Sequence, residues 1–168
     1  MLNPKNFYAS VDIVVKEQGW YDLDVGIELF CDTLVKEVLT QLAFERYTEH
    51  AIVSVALVND NLIRDLNARF RNKDAPTNVL SFPNMNLIPD SFSSLPAICE
   101  LGDVIVARET IEREAKEQGK ESLHHAGHMI VHGMLHLLGY THDSDADAEP
   151  MEALERLILN AHGIPDPY

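Results

Sequence analysis

Four histidines lie within the fifteen residues "HMIVHGMLHLLGYTH", which run from His128 to His142 and are otherwise mostly apolar. The apolar spacing of this stretch is typical of a buried helix. On a helix, residues four apart share a face, so His132 and His136 present two imidazoles whose Cβ atoms are about 6 Å apart. That arrangement suits two nitrogen ligands of a single metal ion.

A third ligand has to come from outside this pair. His128 precedes His136 by eight residues, which places it about 12 Å away along a helix axis and too far to share an ion. Gly139 can instead adopt a left-handed conformation that ends the helix and turns His142 back toward the pair. Three imidazoles with one open coordination position are typical of catalytic zinc. We therefore predict a Zn²⁺ site at His132, His136 and His142, although Ni²⁺ or Cu²⁺ would also suit these ligands in vitro.

The alternative interpretation is that these histidines simply pack in the core. For a single histidine that interpretation is preferable. Three histidines at this spacing favour a metal, because burying several imidazoles without partners costs free energy and a metal supplies the partner. The other histidines in and just before this segment, His124, His125 and His128, are predicted to be surface, packing or supporting residues.

The residue after the first predicted ligand is Gly133. Zinc peptidases of the H-E-x-x-H type have a glutamate there, which acts as the general base. The ordinary peptidase mechanism therefore lacks its base in this chain. Asp143 could orient a ligand or a water, but it belongs to an acidic region that is typical of a solvated surface. The acidic region consists of Asp143, Asp145, Asp147, Glu149, Glu152 and Glu155.

A basic cluster lies in the middle of the chain. It comprises Arg64, Arg69, Arg71 and Lys73. One interpretation is that these cations lie at the end of a helix and simply balance the helix dipole. An arginine beside a metal cleft is also suited to a phosphate, because its planar fork donates two hydrogen bonds to paired oxygens.

Hydrophobic patterning predicts four strands and about five helices. The strands are predicted at 9–15, 51–58, 78–82 and 101–107. The helices are predicted at 25–43, from 59 through 70, in a polar segment that ends near residue 119, at 122–138 and at 150–161. The segment 84–97, which has two prolines and three serines, is predicted to be a surface loop. These elements make an α+β or α/β layered domain, and 168 residues suit a single domain spanning 1–168.

Composition narrows the class of protein. A formal net charge of −14 argues against non-specific attraction to nucleic acid, since phosphates are held mainly by Lys and Arg. No stretch reaches the roughly 18 apolar residues of a membrane span, and the chain does not start with a basic, then apolar leader, so we expect a cytoplasmic protein. Cys31 and Cys99 are too few for a disulfide framework and are expected to be reduced.

Several segments, taken together, resemble the YbeY family of bacterial metal-dependent endoribonucleases. They are "LNARFRNKDAPTNVLSFP", "LGDVIVA", "HGMLHLLGYTHD", "MEALERLIL" and the closing "DPY", and they cover the chain from about residue 51 onward. The resemblance implies a zincin-like α+β fold with a mixed sheet and a zinc held by His132, His136 and His142. It also implies cleavage of single-stranded RNA, with roles in maturation of the small-subunit ribosomal RNA 3′ end and in ribosome quality control. The implied partners are ribosomal particles or ribosome-associated proteins.

The resemblance also gives a role to one member of the basic cluster. Arg71 corresponds to the arginine of the family pattern "LNxxYR", which implies contact with the substrate and favours Arg71 as a catalytic residue. Arg69 and Lys73 remain helix-end charges. The chain departs from the family pattern at Phe70, where tyrosine is usual, and at Asn78 and Thr141, where aspartate is usual.

Two other functions remain open at this point. One is a zinc amidohydrolase or peptidase that uses a non-standard base such as Asp143. The other is a ribosome-assembly factor without catalytic activity, in which zinc only stabilises the fold. If the chain cleaves RNA, the attacking oxygen belongs either to a water or to the 2′-hydroxyl of the RNA. The second route is plausible because Gly133 takes the place of the glutamate that would activate a water.

Overall fold

A four-stranded mixed sheet forms the centre of the protein, whose computed structural model describes residues 7–168. The strands are β1 (Tyr8–Val15), β2 (His50–Val58), β3 (Val79–Pro83) and β4 (Ile98–Ala107). Their order in the sheet is β1-β2-β4-β3. β1, β2 and β4 are parallel, and β3 lies antiparallel to β4 at one edge. The β-branched run in β2 suits its position between two neighbouring strands.

Six α-helices lie in the part of the chain that the structure describes. They are α1 (Gly19–Leu23), α2 (Ile27–Gln41), α3 (Asp60–Arg71), α4 (Arg108–Gln118), α5 (Ser122–Leu137) and α6 (Asp145–Ala161), with a short 3-10 helix at Phe44–Arg46 after α2. None of the helices between residues 7 and 168 is both long enough and apolar enough to cross a bilayer.

Helix α5 occupies the middle of the core. It packs against α2, α4 and α6 and against strands β3 and β4. Its fully buried side chains include Ile130, Val131, Met134 and Leu135. Because helices and sheet surround α5, the stripe of histidines on it is fixed in place by a well-packed core.

The predicted fold class is confirmed, since the protein has an α+β architecture with a four-stranded mixed sheet. The sequence did not predict α1, which is only five residues long. This helix depends on a tertiary contact: Trp20 is fully buried and its indole Nε1 donates a hydrogen bond to the Val58 carbonyl at 3.0 Å. Short helices of this kind have little propensity of their own.

The final helix also differs from its prediction. It begins at Asp145 instead of near Pro150, because Ser144 caps it. The Ser144 Oγ accepts a hydrogen bond from the Asp147 N–H at 3.2 Å, and such a cap stabilises the first turn of a helix. Pro150 therefore lies inside α6, where it removes one backbone hydrogen bond without ending the helix.

The segment 84–97 is a loop, as predicted, and it connects β3 to β4. One aromatic side chain fastens it to the core. Phe92 is buried and packs edge-to-face on Phe44 and Tyr47, with ring centroids 5.3 and 5.6 Å apart. The loop also approaches the carboxyl end of α5, where the Tyr140 hydroxyl lies 3.5 Å from Asp90 Oδ1.

Candidate metal centre

Three histidine rings lie together where α5 ends. The Nε2 atoms of His132 and His136 are 3.0 Å apart. The ring of His142 approaches both, with centroid distances of 5.2 Å to His132 and 5.1 Å to His136. One nitrogen from each ring lies within 4.8 Å of the other two. The three imidazoles therefore converge on a common point. His142 is the exposed member of the group, whereas His132 and His136 are half-buried.

The turn after α5 returns His142 to the pair on α5. Gly139 has φ +91°, and its N–H donates to the His136 carbonyl at 3.1 Å. The Tyr140 N–H then donates to the Leu135 carbonyl at 3.0 Å. A Cβ atom at position 139 would overlap the carbonyl oxygen of Leu87. The turn requires glycine both for its backbone conformation and for this close approach.

The outer nitrogens of the two helical histidines are fixed by acceptors. His132 Nδ1 lies 2.7 Å from Glu155 Oε1, and His136 Nδ1 lies 2.9 Å from the Tyr140 carbonyl oxygen. A carboxylate and a carbonyl can only accept, so each Nδ1 carries the hydrogen and each Nε2 keeps a lone pair. Two lone pairs that face each other at 3.0 Å repel unless a cation lies between them. This donor set fits a metal ion that prefers imidazole nitrogen.

The electrostatics of the site keep His136 neutral. Burial lowers the pKa of His136 to about 4, and the neighbouring His132 and His142 contribute in the same direction, while the Tyr140 carbonyl opposes the change. A neutral imidazole is the form that binds a metal. No proton therefore has to leave His136 at neutral pH.

Glu155 on α6 is the carboxylate that supports this group. It is fully buried, with an exposed fraction of 0%. Burial by itself raises the pKa of Glu155, but the facing imidazoles of His128 and His132 and the Tyr168 hydroxyl lower it more strongly, to about 2. It is consequently ionised at neutral pH and accepts from His132, an arrangement that orients metal-binding histidines in many proteins.

The sequence interpretation of Glu155 was wrong, because it assigned this residue to a solvated acidic region. The structure turns it inward, together with Met151, Ile158 and Leu159 of the buried face of α6. A signal was present in the sequence: these apolar residues lie three or four positions from Glu155, which is the spacing of one helix face.

The other three histidines of α5 lie along its first half. His125 is buried, and its Nε2 lies 2.7 Å from Glu114 Oε2. His128 is also buried, and its Nε2 lies 3.5 Å from Glu155 Oε1. His128, His132 and Glu155 form a second group of closely spaced ligand atoms. The hydrogen bond between Glu155 and His132 already explains why these atoms are close. The group of His132, His136 and His142 instead has nitrogen lone pairs that face each other, so it is the better candidate for the metal site.

The geometry also explains the missing glutamate at position 133. A Cβ atom on Gly133 would lie 2.6 Å from Val104 Cγ1 and 3.1 Å from Ser81 Oγ. The position therefore faces β3 and β4, and Ser81 Oγ donates to the Gly133 carbonyl at 2.9 Å. No larger side chain fits there without a shift of the sheet.

Arg71 lies in a cleft beside the histidines. It is the last residue of α3, its Nη2 donates to the Ser81 carbonyl at 2.9 Å, and its Cζ lies 5.5 Å from the centroid of the Phe82 ring. The cleft has a volume of about 330 Å³, and its lining also includes His136 and Thr141. Arg71 and His136 thus line the same cleft, while His132 and His142 line a neighbouring one.

The remaining basic residues lie elsewhere. Arg64 is paired with Asp74, with 2.7 Å between Nε and Oδ1. Arg69 and Lys73 are exposed and do not line the cleft of Arg71. Asp143 follows His142 on the exposed side of the turn.

The fold and the histidine group together define an α+β protein with a candidate three-histidine metal site. The chain belongs to the YbeY family: a family model described as "Endoribonuclease YbeY" matches residues 23–163. Two relatives named "Endoribonuclease YbeY" are similar over most of their length. The protein of Azorhizobium caulinodans is 45% identical, with 95% of this chain and 96% of the relative covered. The protein of Methylocella silvestris is 42% identical, with 94% and 85% covered.

A solved structure supports the fold. The solution structure of TM1509 from Thermotoga maritima matches with a TM-score of 0.56 and 24% sequence identity. The match covers 92% of each chain. At this identity the similarity concerns the fold alone.

Proposed function

We propose that residues 1–168 form one zinc-dependent endoribonuclease domain that cleaves single-stranded RNA. Membership of the YbeY family supports the reaction class, because the relatives are named endoribonucleases. The observation that carries the proposal is the convergence of three histidine rings next to the cleft that contains Arg71. A metal site beside an exposed guanidinium suits a phosphodiester substrate.

His132, His136 and His142 are the proposed ligands. Their three imidazole nitrogens favour zinc over the hard cations Mg²⁺ and Ca²⁺, which prefer oxygen ligands. When bound, zinc supplies Lewis-acid chemistry, in that it polarises a phosphoryl oxygen and lowers the pKa of water. Glu155 and the Tyr140 carbonyl hold two of the rings in the orientation that this requires.

Arg71 is proposed to bind the phosphate. Its hydrogen bond to the Ser81 carbonyl and its stacking on Phe82 hold the guanidinium at the edge of the cleft. The remaining N–H groups of the fork can donate to two phosphate oxygens. Such donors stabilise the charge that develops on phosphorus in the transition state.

The position of Gly133 bears on the nucleophile. No carboxylate base can occupy that position, since it faces the sheet. Attack by the RNA's own 2′-hydroxyl is therefore the favoured route. The 2′ oxygen forms a bond to phosphorus, the bond from phosphorus to the 5′ oxygen breaks, and the two product ends are a 2′,3′-cyclic phosphate and a 5′-hydroxyl. Attack by water would leave a plain phosphate monoester. Mass spectrometry of the cleaved RNA ends distinguishes the two.

The proposed cellular role is maturation of the small-subunit ribosomal RNA 3′ end and ribosome quality control in the cytoplasm. The support for this role is the family alone. The net charge of −14 predicts weak binding to free RNA, because few phosphates can be neutralised. We expect the protein to reach its substrate through ribosomal particles or a ribosome-associated protein.

Cleavage assays on matched variants test the proposal. The substrate is one RNA sequence, offered single-stranded and as a duplex. We expect His136→Ala to lose both zinc and cleavage. Arg71→Ala should retain zinc and lose activity by about 10²-fold or more. Arg64→Ala removes another arginine of α3, one already paired with Asp74, and should cleave like the wild type.

Three results would contradict the proposal. Full cleavage by a metal-free protein would remove the role of the histidine group. Turnover of peptides or amides without RNA cleavage would favour the amidohydrolase alternative. Normal ribosomal RNA in cells that carry the His136→Ala variant would favour a non-catalytic assembly factor.

A further inference from the structure

Tyr168 lies against the outer side of the histidine group. Its hydroxyl donates a hydrogen bond to Glu155 Oε2. Its ring packs edge-to-face on His128, with centroids 5.4 Å apart, and the Arg156 Cζ lies 4.9 Å from its centroid. Tyr168 also lines a small cleft together with His132. This tyrosine therefore belongs to the surroundings of the metal centre.

The segment that carries Tyr168 is held down at several points. Lys120 Nζ donates to the Pro167 carbonyl, and Arg156 Nε lies 3.1 Å from Asp166 Oδ1. The Tyr168 N–H donates to the same Asp166 oxygen at 3.0 Å. These contacts fix the backbone that leads into the tyrosine, so its hydroxyl is presented to Glu155 in a defined position.

The two oxygens of Glu155 have separate partners. Oε1 accepts from His132 Nδ1 at 2.7 Å, and Oε2 accepts from Tyr168. A buried carboxylate oxygen without a donor is unfavourable. Without the tyrosine hydroxyl, the carboxylate would turn toward another donor, and the nearest one is His128 Nε2, 3.5 Å from Oε1. That rotation would loosen the hydrogen bond to His132.

We infer that Tyr168 is a positioning residue of the metal centre: its hydroxyl fixes the Glu155 carboxylate, and the carboxylate fixes the ring of His132. The inference rests on the proposed function, since it takes the three histidines to be zinc ligands. A role in packing alone would require the tyrosine ring but not its hydroxyl. The two roles can therefore be separated by removing one oxygen atom.

Tyr168→Phe is the test, and the chain offers a matched control. Tyr21 also donates its hydroxyl to a glutamate, Glu28, at 2.9 Å, but this pair is solvent-exposed and belongs to α1 and α2. Zinc affinity is measured by competition with a chromophoric chelator. We expect Tyr168→Phe to weaken zinc binding by about 10-fold, at the low end of the effect of partners that orient metal ligands. Tyr21→Phe should bind zinc like the wild type.

Two further measurements separate positioning from packing. The absorption spectrum of the Co²⁺-loaded protein reports the ligand geometry. It should change in Tyr168→Phe, whereas a tyrosine that only packs would leave the spectrum of the phenylalanine variant unchanged. A double variant tests whether the Tyr168 hydroxyl acts through Glu155. In a Glu155→Gln background, Tyr168→Phe should cause no further loss of zinc affinity, because the carboxylate that the hydroxyl positions is already absent.

The inference is overturned if Tyr168→Phe binds zinc within about twofold of the wild type, which is well below the effect of an orienting partner. It is also overturned if the losses of the two single variants add in the double variant. Failure of the wild-type protein to bind zinc at all would instead overturn the proposed function. RNA cleavage is not needed for any of these readouts.

Discussion

Replacing Gly139 by alanine tests how the third histidine reaches the site. Gly139 has φ +91°, a conformation that favours glycine, and a Cβ atom there would overlap the Leu87 carbonyl oxygen. Gly119 provides a matched control. It also has a positive φ, +66°, but a Cβ atom there would meet nothing within 4 Å. Comparing the two alanine variants separates backbone strain from the steric contact.

The magnitude follows from two contributions. An alanine in the left-handed region costs about 1–2 kcal/mol. The contact with Leu87 forces a shift of a packed segment, which adds about 1–3 kcal/mol. Gly139→Ala should therefore lower the free energy of unfolding by about 2–5 kcal/mol, against about 1–2 kcal/mol for Gly119→Ala.

The functional effect should be confined to Gly139→Ala. Relief of the contact has to move the turn that carries His142, so we expect zinc affinity to fall by at least about 10-fold. Urea denaturation of the metal-free proteins gives the stability, and chelator competition gives the zinc affinity. If Gly139→Ala is destabilised but binds zinc as tightly as Gly119→Ala, then the turn does not place a ligand and our reasoning about His142 is refuted.

Three further predictions concern stability. The metal-free protein should lose stability as the pH falls from about 6.5 toward 4. The reason is that the pKa of His136 is lowered to about 4 in the folded state, so the unfolded chain takes up the proton first. The loss should be smaller in His136→Gln, and an equal loss in that variant would refute the prediction. Gly133→Glu should be destabilised by about 1–3 kcal/mol in urea unfolding and gain no peptidase activity, since position 133 faces Val104. Ser144→Ala should lose about 1 kcal/mol by the same assay, and no change would show that the cap of α6 is unimportant.

Local patterns in the sequence account for the sheet and most helices. The apolar, β-branched run of residues 51–58 predicted a central strand, and it forms β2. The helix predicted from 59 through 70 forms α3, and the Asn59 side chain caps it by accepting from the Leu62 N–H at 2.9 Å. The same kind of reasoning singled out the histidines, because helical spacing and a helix-ending glycine are local features.

Contacts between distant segments were beyond such patterns. Glu155 is 23 positions from His132, and its place in the site depends on how α6 packs against α5. Tyr168 approaches the same carboxylate from a segment of irregular structure. The start of α6 was misplaced because Pro150 was read as the first helical residue, a position that proline favours, while the cap at Ser144 was missed.

A crystal structure of the protein grown with zinc, with an anomalous difference map at the zinc edge, tests the central claim most directly. We predict one peak per chain, about 2.0–2.1 Å from a nitrogen of each of His132, His136 and His142, with the fourth position open toward the cleft of Arg71. A zinc ion bound without His142, or one whose fourth ligand is another protein side chain, would contradict the account.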